Sequence, residues 1–174
     1  HILSLKKEFF LRKINVYEKT VSQLTIAHST ITNMAILVKL AQNENVTFSE
    51  EETKEIFTKL DNGIQEVYKA TRETACAIDL YIDLKHDDKE VDDARKFWES
   101  LGTLNQLSQV VNHGYDLLSK ATTEEEYRKL YEAIKINEDL VTAGIEDLST
   151  HSNSFREKTL GIASQLRQEL RKYQ

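Results

Sequence analysis

His28 is the residue of this chain whose type and setting come nearest to chemistry. It lies among Thr25, Ser29, Thr32 and Asn33, in a stretch whose apolar residues recur at helical spacing. Helical phase puts His28 on the inward face, and the same phase on later helices turns Thr71, Thr74 and Ser108 inward at mid-height. Four such groups could line a small polar pocket, with the imidazole as the titratable member. The plainer expectation is a core histidine with a hydrogen-bond partner, and hydroxyls bonded back to their own helix backbones.

Other reactive residues are isolated. Metal sites in helical bundles draw carboxylates and paired Glu-x-x-His motifs from several helices, and no Glu-x-x-His is present. Asp79, Asp83 and His86 share a helical face, but they fall in an acidic helix end, where a solvated surface is expected. His113 and His151 have no companion at ligand spacing and are expected on the surface. Cys76 is the single cysteine, so no internal disulfide forms; without a histidine at a recognisable spacing it reads as a small, half-buried helix residue. No glycine-rich phosphate loop or nucleophile elbow occurs. The residues therefore point to a non-catalytic protein, with no cofactor and no bound metal. Ala27-His28-Ser29 does resemble the setting of the phosphoryl-accepting histidine in histidine phosphotransfer bundles, although the lysine and glycine that usually follow are absent.

The elements that must position these residues are helices. The 174 residues include no proline and only five glycines, so nothing removes a backbone donor or clashes with the preceding turn until polar punctuation intervenes. Phe10, Ile14, Tyr17, Val21, Leu24, His28, Ile31, Ala35 and Val38 alternate steps of four and three, the seam of a helix over about residues 3–42. Ser49 and Glu52 form a capping box for a second helix over 49–85, with Phe57, Leu60, Ile64, Val67, Thr71, Thr74, Ile78 and Tyr81 as its seam. Asp87 and Glu90 stand at the same spacing before a third, over 88–121, whose seam is Ala94, Phe97, Leu101, Leu104, Ser108, Val111, Tyr115 and Leu118, widened by Trp98. Thr122 and Thr123 precede three glutamates and open a fourth over 123–172, lined by Tyr127, Leu130, Tyr131, Ile134, Val141, Ile145, Leu148, Phe155, Ile162, Leu166 and Leu170. Gly144 and residues 149–154 are poor helix formers, so a kink or break near 150–153 is the alternative there.

Short connections between long helices favour antiparallel neighbours. The fold class is thus all-α: a single-domain, elongated up-down-up-down four-helix bundle with both termini at one end. It resembles bacterial four-helix sensor domains in overall shape, a likeness that carries no functional residue with it.

Charge is unevenly spread. Residues 1–17 carry Lys6, Lys7, Arg12 and Lys13 against Glu8, a net of +3. Residues 156–174 carry five cations against two anions, again +3, which leaves −12 for the body of a chain whose net charge is −6. The expected base of the bundle is therefore basic. Lys6, Lys7, Arg12, Lys13, Arg167, Arg171 and Lys172 are its candidate contacts with an anionic membrane or an acidic partner. Nucleic acid is not expected, since no basic stripe interleaved with aromatics runs along a helix. No stretch approaches about 18 consecutive apolar residues, so this segment reads as soluble. The start at His1, followed by Ile2-Leu3-Ser4-Leu5, fits an excised or processed chain with an anchor outside it. The functional expectation is a sensory, scaffolding or protein-interaction module, membrane-associated through that anchor on the cytoplasmic side, with a protein partner or a second copy. The alternative is a soluble cytoplasmic phosphotransfer or small-ligand bundle built on the polar layer around His28.

Overall fold

The computed structural model describes the backbone of residues 1–79 and 88–173, and the side chains of residues 1–74 and 92–173. Its elements are four helices: α1 (Ile2–Ala41), α2 (Glu50–Asp79), α3 (Asp88–Leu118) and α4 (Glu124–Arg171). The expected cap at Asp87 and Glu90, the seam residues Ile78 and Tyr81, Cys76, and the Asp79, Asp83 and His86 face lie outside the described residues or side chains.

Side chains set the starts of α2 and α4. At α2 the Ser49 amide donates to Glu52 Oε2 at 2.7 Å while the Glu52 amide donates to Ser49 Oγ at 3.2 Å, the reciprocal box read from the sequence. At α4 the Glu126 amide donates to Thr123 Oγ1 at 3.2 Å, and the Thr122 amide donates back to Glu126 Oε2 at 3.2 Å. Glu124, Glu125 and Glu126 lie in the first turn, where negative charge suits the helix dipole. α4 continues through Thr150–Asn153 as one helix, without the break that residues 149–154 allowed. Thr150 donates its hydroxyl to Glu146 O and Ser152 is buried, so this polar stretch stays in the helix and holds its place on the inward face.

Among the described residues each helix touches only its two neighbours in the order α1, α2, α3, α4 and back to α1. Neighbours run in opposite directions, as paired residues show. Gln42 reaches Thr142 on α4 and Glu18 pairs with Arg167. Lys54 pairs with Asp116, and Gln65 Nε2 donates to Asn105 Oδ1. Phe97 stacks on Phe155, and Tyr115 bonds Glu138.

All eight seam residues read for the third helix are buried, as are the first six for the second. The main core runs from Leu24, Phe97 and Phe155 at one end to Val38, Phe57, Leu118 and Ile134 at the other. A second apolar cluster, formed by Ile14, Tyr17, Ala163, Leu166 and Leu170, belongs to α1 and α4. Between the two clusters stand Thr20 and Thr159, buried, with hydroxyls donated to Val16 O and Phe155 O.

Candidate functional site

The inward line of α1 is Ile14, Tyr17, Thr20, Leu24, Ala27, Ile31, Met34 and Val38. This corrects the seam at three places: Thr20, Ala27 and Met34 point inward where Val21, His28 and Ala35 were expected. From Ile14 to Val38 the two lines share every other position, while Phe10, the first residue of the expected seam, is only half-buried; the preference for Ala27 has a physical cause, since an imidazole at the bundle centre would lose its hydration. His28 is consequently half-buried at the margin. Its Nδ1 is shielded from water and has no hydrogen-bond partner, contrary to the expected satisfied core histidine. Burial, and then the positive charge of Arg156 on α4, hold its pKa below the ordinary histidine value, so the ring is neutral around pH 7.

The hydroxyls expected to join His28 behave differently. Thr71 donates to Val67 O at 2.7 Å, within its own helix. Thr74 donates to Gln23 Oε1, tying α2 to α1. Ser108 donates to Asp61 Oδ1 at 3.4 Å. Asp61 lies ten residues before Thr71 on α2, roughly 15 Å along the axis at 1.5 Å per residue. Thr71 and Thr74 therefore form one polar level of the core and Ser108 another, and the four residues do not converge on one pocket. Ser152, fully buried on α4, has an Oγ without a partner.

Among the described residues no group of three His, Cys, Asp or Glu side chains is disposed to hold a metal ion. His113 is exposed, as expected, while His151 is half-buried and lines a shallow groove of about 250 Å³ between α3 and α4 with Glu99, Thr103 and Asp147.

Sequence reasoning missed a buried ionic group. Glu138 is 5% exposed on α4. Its Oε1 accepts from the Tyr115 hydroxyl, its Oε2 lies 2.9 Å from Lys135 Nζ, and that ammonium sits 5.2 Å from the Tyr131 ring centroid. Burial and the neighbouring carboxylate push the Tyr115 phenol far above its usual pKa. Spacing could have revealed it: Ile134, Glu138 and Val141 continue the four-three alternation, and only the residue type argued otherwise.

The basic residues do converge. The Phe10 and Tyr173 rings stack at 5.7 Å, which fixes the start of α1 beside the end of α4. Lys6, Lys7 and Arg12 are exposed on α1 and Lys13 is half-buried; Arg167, Arg171 and Lys172 are exposed on α4 or just past it. Arg12 pairs with Glu8, and Arg167 with Glu18 across the two helices. Lys13 Nζ lies 6.0 Å from the Tyr17 ring centroid. Beyond this cluster Ile2, Leu3 and Leu5 are 73%, 65% and 55% exposed. Length and composition would also allow α1 to cross a membrane, since its best window has a mean hydropathy of 1.3; it holds no unbroken apolar run because hydroxyl and amide residues are scattered through it. Comparison with protein-family models, with curated proteins and with solved structures finds no match to this chain.

Proposed function

We propose that this chain is a non-catalytic helical-bundle module for sensing, scaffolding or protein interaction, which faces an anionic membrane with the end where its termini meet. The observation that carries the reading is the convergence of two basic segments, 1–17 and 156–174, each of net charge +3, on one end of an otherwise acidic body. The exposed Ile2, Leu3 and Leu5 add an apolar edge to that end, as a segment close to a bilayer would. Cations next to a membrane segment favour the cytoplasmic face, and each contributes on the order of 1 kcal/mol near anionic lipid. Salt screens this attraction, so firm attachment requires an anchor outside the segment described here.

Sedimentation with vesicles containing or lacking anionic lipid tests the proposal. The wild type is expected to partition on to anionic vesicles at low salt, whereas a variant with Lys6, Lys7, Arg171 and Lys172 changed to Glu is expected to stay in solution. Equal partitioning of the two proteins refutes the membrane reading. A second reading, a soluble phosphotransfer or ligand-binding bundle, is favoured by the unpartnered Nδ1 of His28. Phosphate labelling of His28 by a kinase would establish it.

A further inference from the structure

The zone that separates the two apolar clusters is built of small and hydroxylated side chains. Tyr17 and Leu166 lie below it, Phe97 and Phe155 above. Between them the buried residues described are Thr20 and Leu24 on α1, Thr71 and Thr74 on α2, Ala94 on α3, and Thr159 and Ala163 on α4. Leu24 is the one large apolar side chain of that set. Thr20, Thr71 and Thr159 donate their hydroxyls to Val16 O, Val67 O and Phe155 O, each within its own helix. Those carbonyls also serve the helix ladder, and a hydroxyl added from four residues on loosens and bends the turn. Thr74 donates instead to Gln23. Polar pairs add the ties between helices at this height: Lys19 with Glu73, both well exposed, and Lys158 with Asp93. A pair as exposed as the first holds little.

Below the zone the packing is cohesive again. Ile14 and Tyr17 meet Ala163, Leu166 and Leu170, Phe10 stacks on Tyr173 at 5.7 Å, and Glu18 pairs with Arg167. The lower ends of α1 and α4 therefore make one arm.

We infer that the threonine zone is a joint, at which this arm bends as one piece against the four-helix body. Two helices run through the joint, so each needs a pliant turn at a similar height, and Thr20 and Thr159 supply them. The pairing of Glu18 with Arg167 puts Thr20 opposite residue 165, which leaves Thr159 about 9 Å away along the axis at 1.5 Å per residue. Large interlocking side chains resist such displacement, because a close-packed core has few alternative arrangements. Threonine methyls and alanines have fewer contacts to lose, and local opening follows sparse apolar contact. The joint is a property of the packing and needs no lipid, so it stands apart from the membrane proposal. If the base is held at a membrane, the joint lets the tilt of the body follow how that base is held.

Native-state hydrogen exchange read by mass spectrometry, without lipid, measures it. Amides of residues 18–24 and 157–163 are expected to exchange at least about tenfold faster than those of 27–34 and 145–152, a difference of about 1.4 kcal/mol. They should also exchange faster than those of 11–16 in the arm, an order that fraying from the helix ends would reverse. Thr20→Val combined with Thr159→Val keeps the outline of both side chains and removes the hydroxyls from Val16 O and Phe155 O, so exchange at the joint should slow about tenfold, toward that of the flanks. Gln106 and Glu169 are exposed, one on the body and one on the arm. Spin labels at Gln106→Cys and Glu169→Cys in a Cys76→Ser background should give a broad distance distribution that the two valines narrow. The exchange pattern of the unaltered chain decides the matter even where the valine variant folds poorly. A zone as protected as its flanks would show the threonines to be a close-packed layer and overturn the inference, as would a narrow distribution before the valines are introduced, or exchange and distances indifferent to them.

Discussion

Replacing helical glycines by alanine should move stability in opposite directions at two positions, for reasons visible in the packing. Every Gly→Ala change inside a helix gains about 0.8–1.0 kcal/mol in propensity. At Gly161, on the exposed side of α4, an added Cβ would meet nothing within 4 Å. That gain should appear in full, as a rise in Tm of about 2–4 °C for a chain of this size. At Gly114 an added Cβ would lie 2.7 Å from Ile134 Cγ1 and 3.3 Å from its Cδ1. Ile134 is 3% exposed, and its β-branched side chain is stiff in a helix, so α3 and α4 must separate locally. Overpacking of this kind costs about 1–3 kcal/mol, which leaves Gly114→Ala with a net loss of up to about 2 kcal/mol. Gly63→Ala is the intermediate case. Its Cβ would lie 2.8 Å from Met34 Sδ, but methionine can change rotamer and absorb part of the strain. Urea denaturation monitored by circular dichroism, with thermal melts of the same proteins, measures all three. If Gly114→Ala stabilises as much as Gly161→Ala, the close approach of α3 to α4 at Ile134 is refuted.

His28→Leu should leave the fold intact and remove a pH dependence. The folded pKa of His28 is lowered while the unfolded chain keeps the ordinary value of 6.5, so below that value the unfolded state binds more protons and wild-type stability falls as the pH drops. Urea midpoints of wild type and His28→Leu should therefore diverge between pH 7.5 and 5, with the variant falling less; parallel curves would refute the shift. Tyr115→Phe should cost about 1–3 kcal/mol, because it removes a hydrogen bond to the buried Glu138 carboxylate. In a double-mutant cycle, Tyr115→Phe combined with Glu138→Leu should lose less than the two single changes together, since neither partner is then left unsatisfied; additive losses would show that the two groups do not interact.

The parts of the fold that sequence made legible are those where residue type and helical phase agree. The third helix is the clearest case: Ala94 to Leu118 alternate strictly and all eight seam residues are buried. The boxes at Ser49 and Thr123 were equally readable, because a hydroxyl three residues before a glutamate has a local geometric purpose. Errors arose where type and phase disagree. On α1, Val21, His28 and Ala35 keep the same alternation as Thr20, Ala27 and Met34, and the sequence offers no third constraint to choose between them. On α4, Glu138, Ser152 and Thr159 occupy inward positions that their polarity conceals. The basic end was legible because net charge and antiparallel order suffice to bring two segments together. The ring stack of Phe10 on Tyr173, and the threonine zone between the two apolar clusters, depend on side-chain directions that periodicity does not fix.

The α1–α4 contact gives this chain an unusual order of completion. Glu18 finds Arg167 only after 149 further residues have been made. At ribosomal rates of about 5–20 residues per second that interval is roughly 7–30 s. During it α1 can pair with α2, yet the flank that Val141, Leu148 and Phe155 will later cover stays open to solvent. Ile14 and Tyr17 wait for Ala163, Leu166 and Leu170 in the same way. A nascent chain stalled before α4 would thus display apolar stripes on both α1 and α3, the signature that holdase chaperones bind. Moving α4 ahead of α1 by circular permutation would turn the longest-range contact into a local one and shorten that exposure.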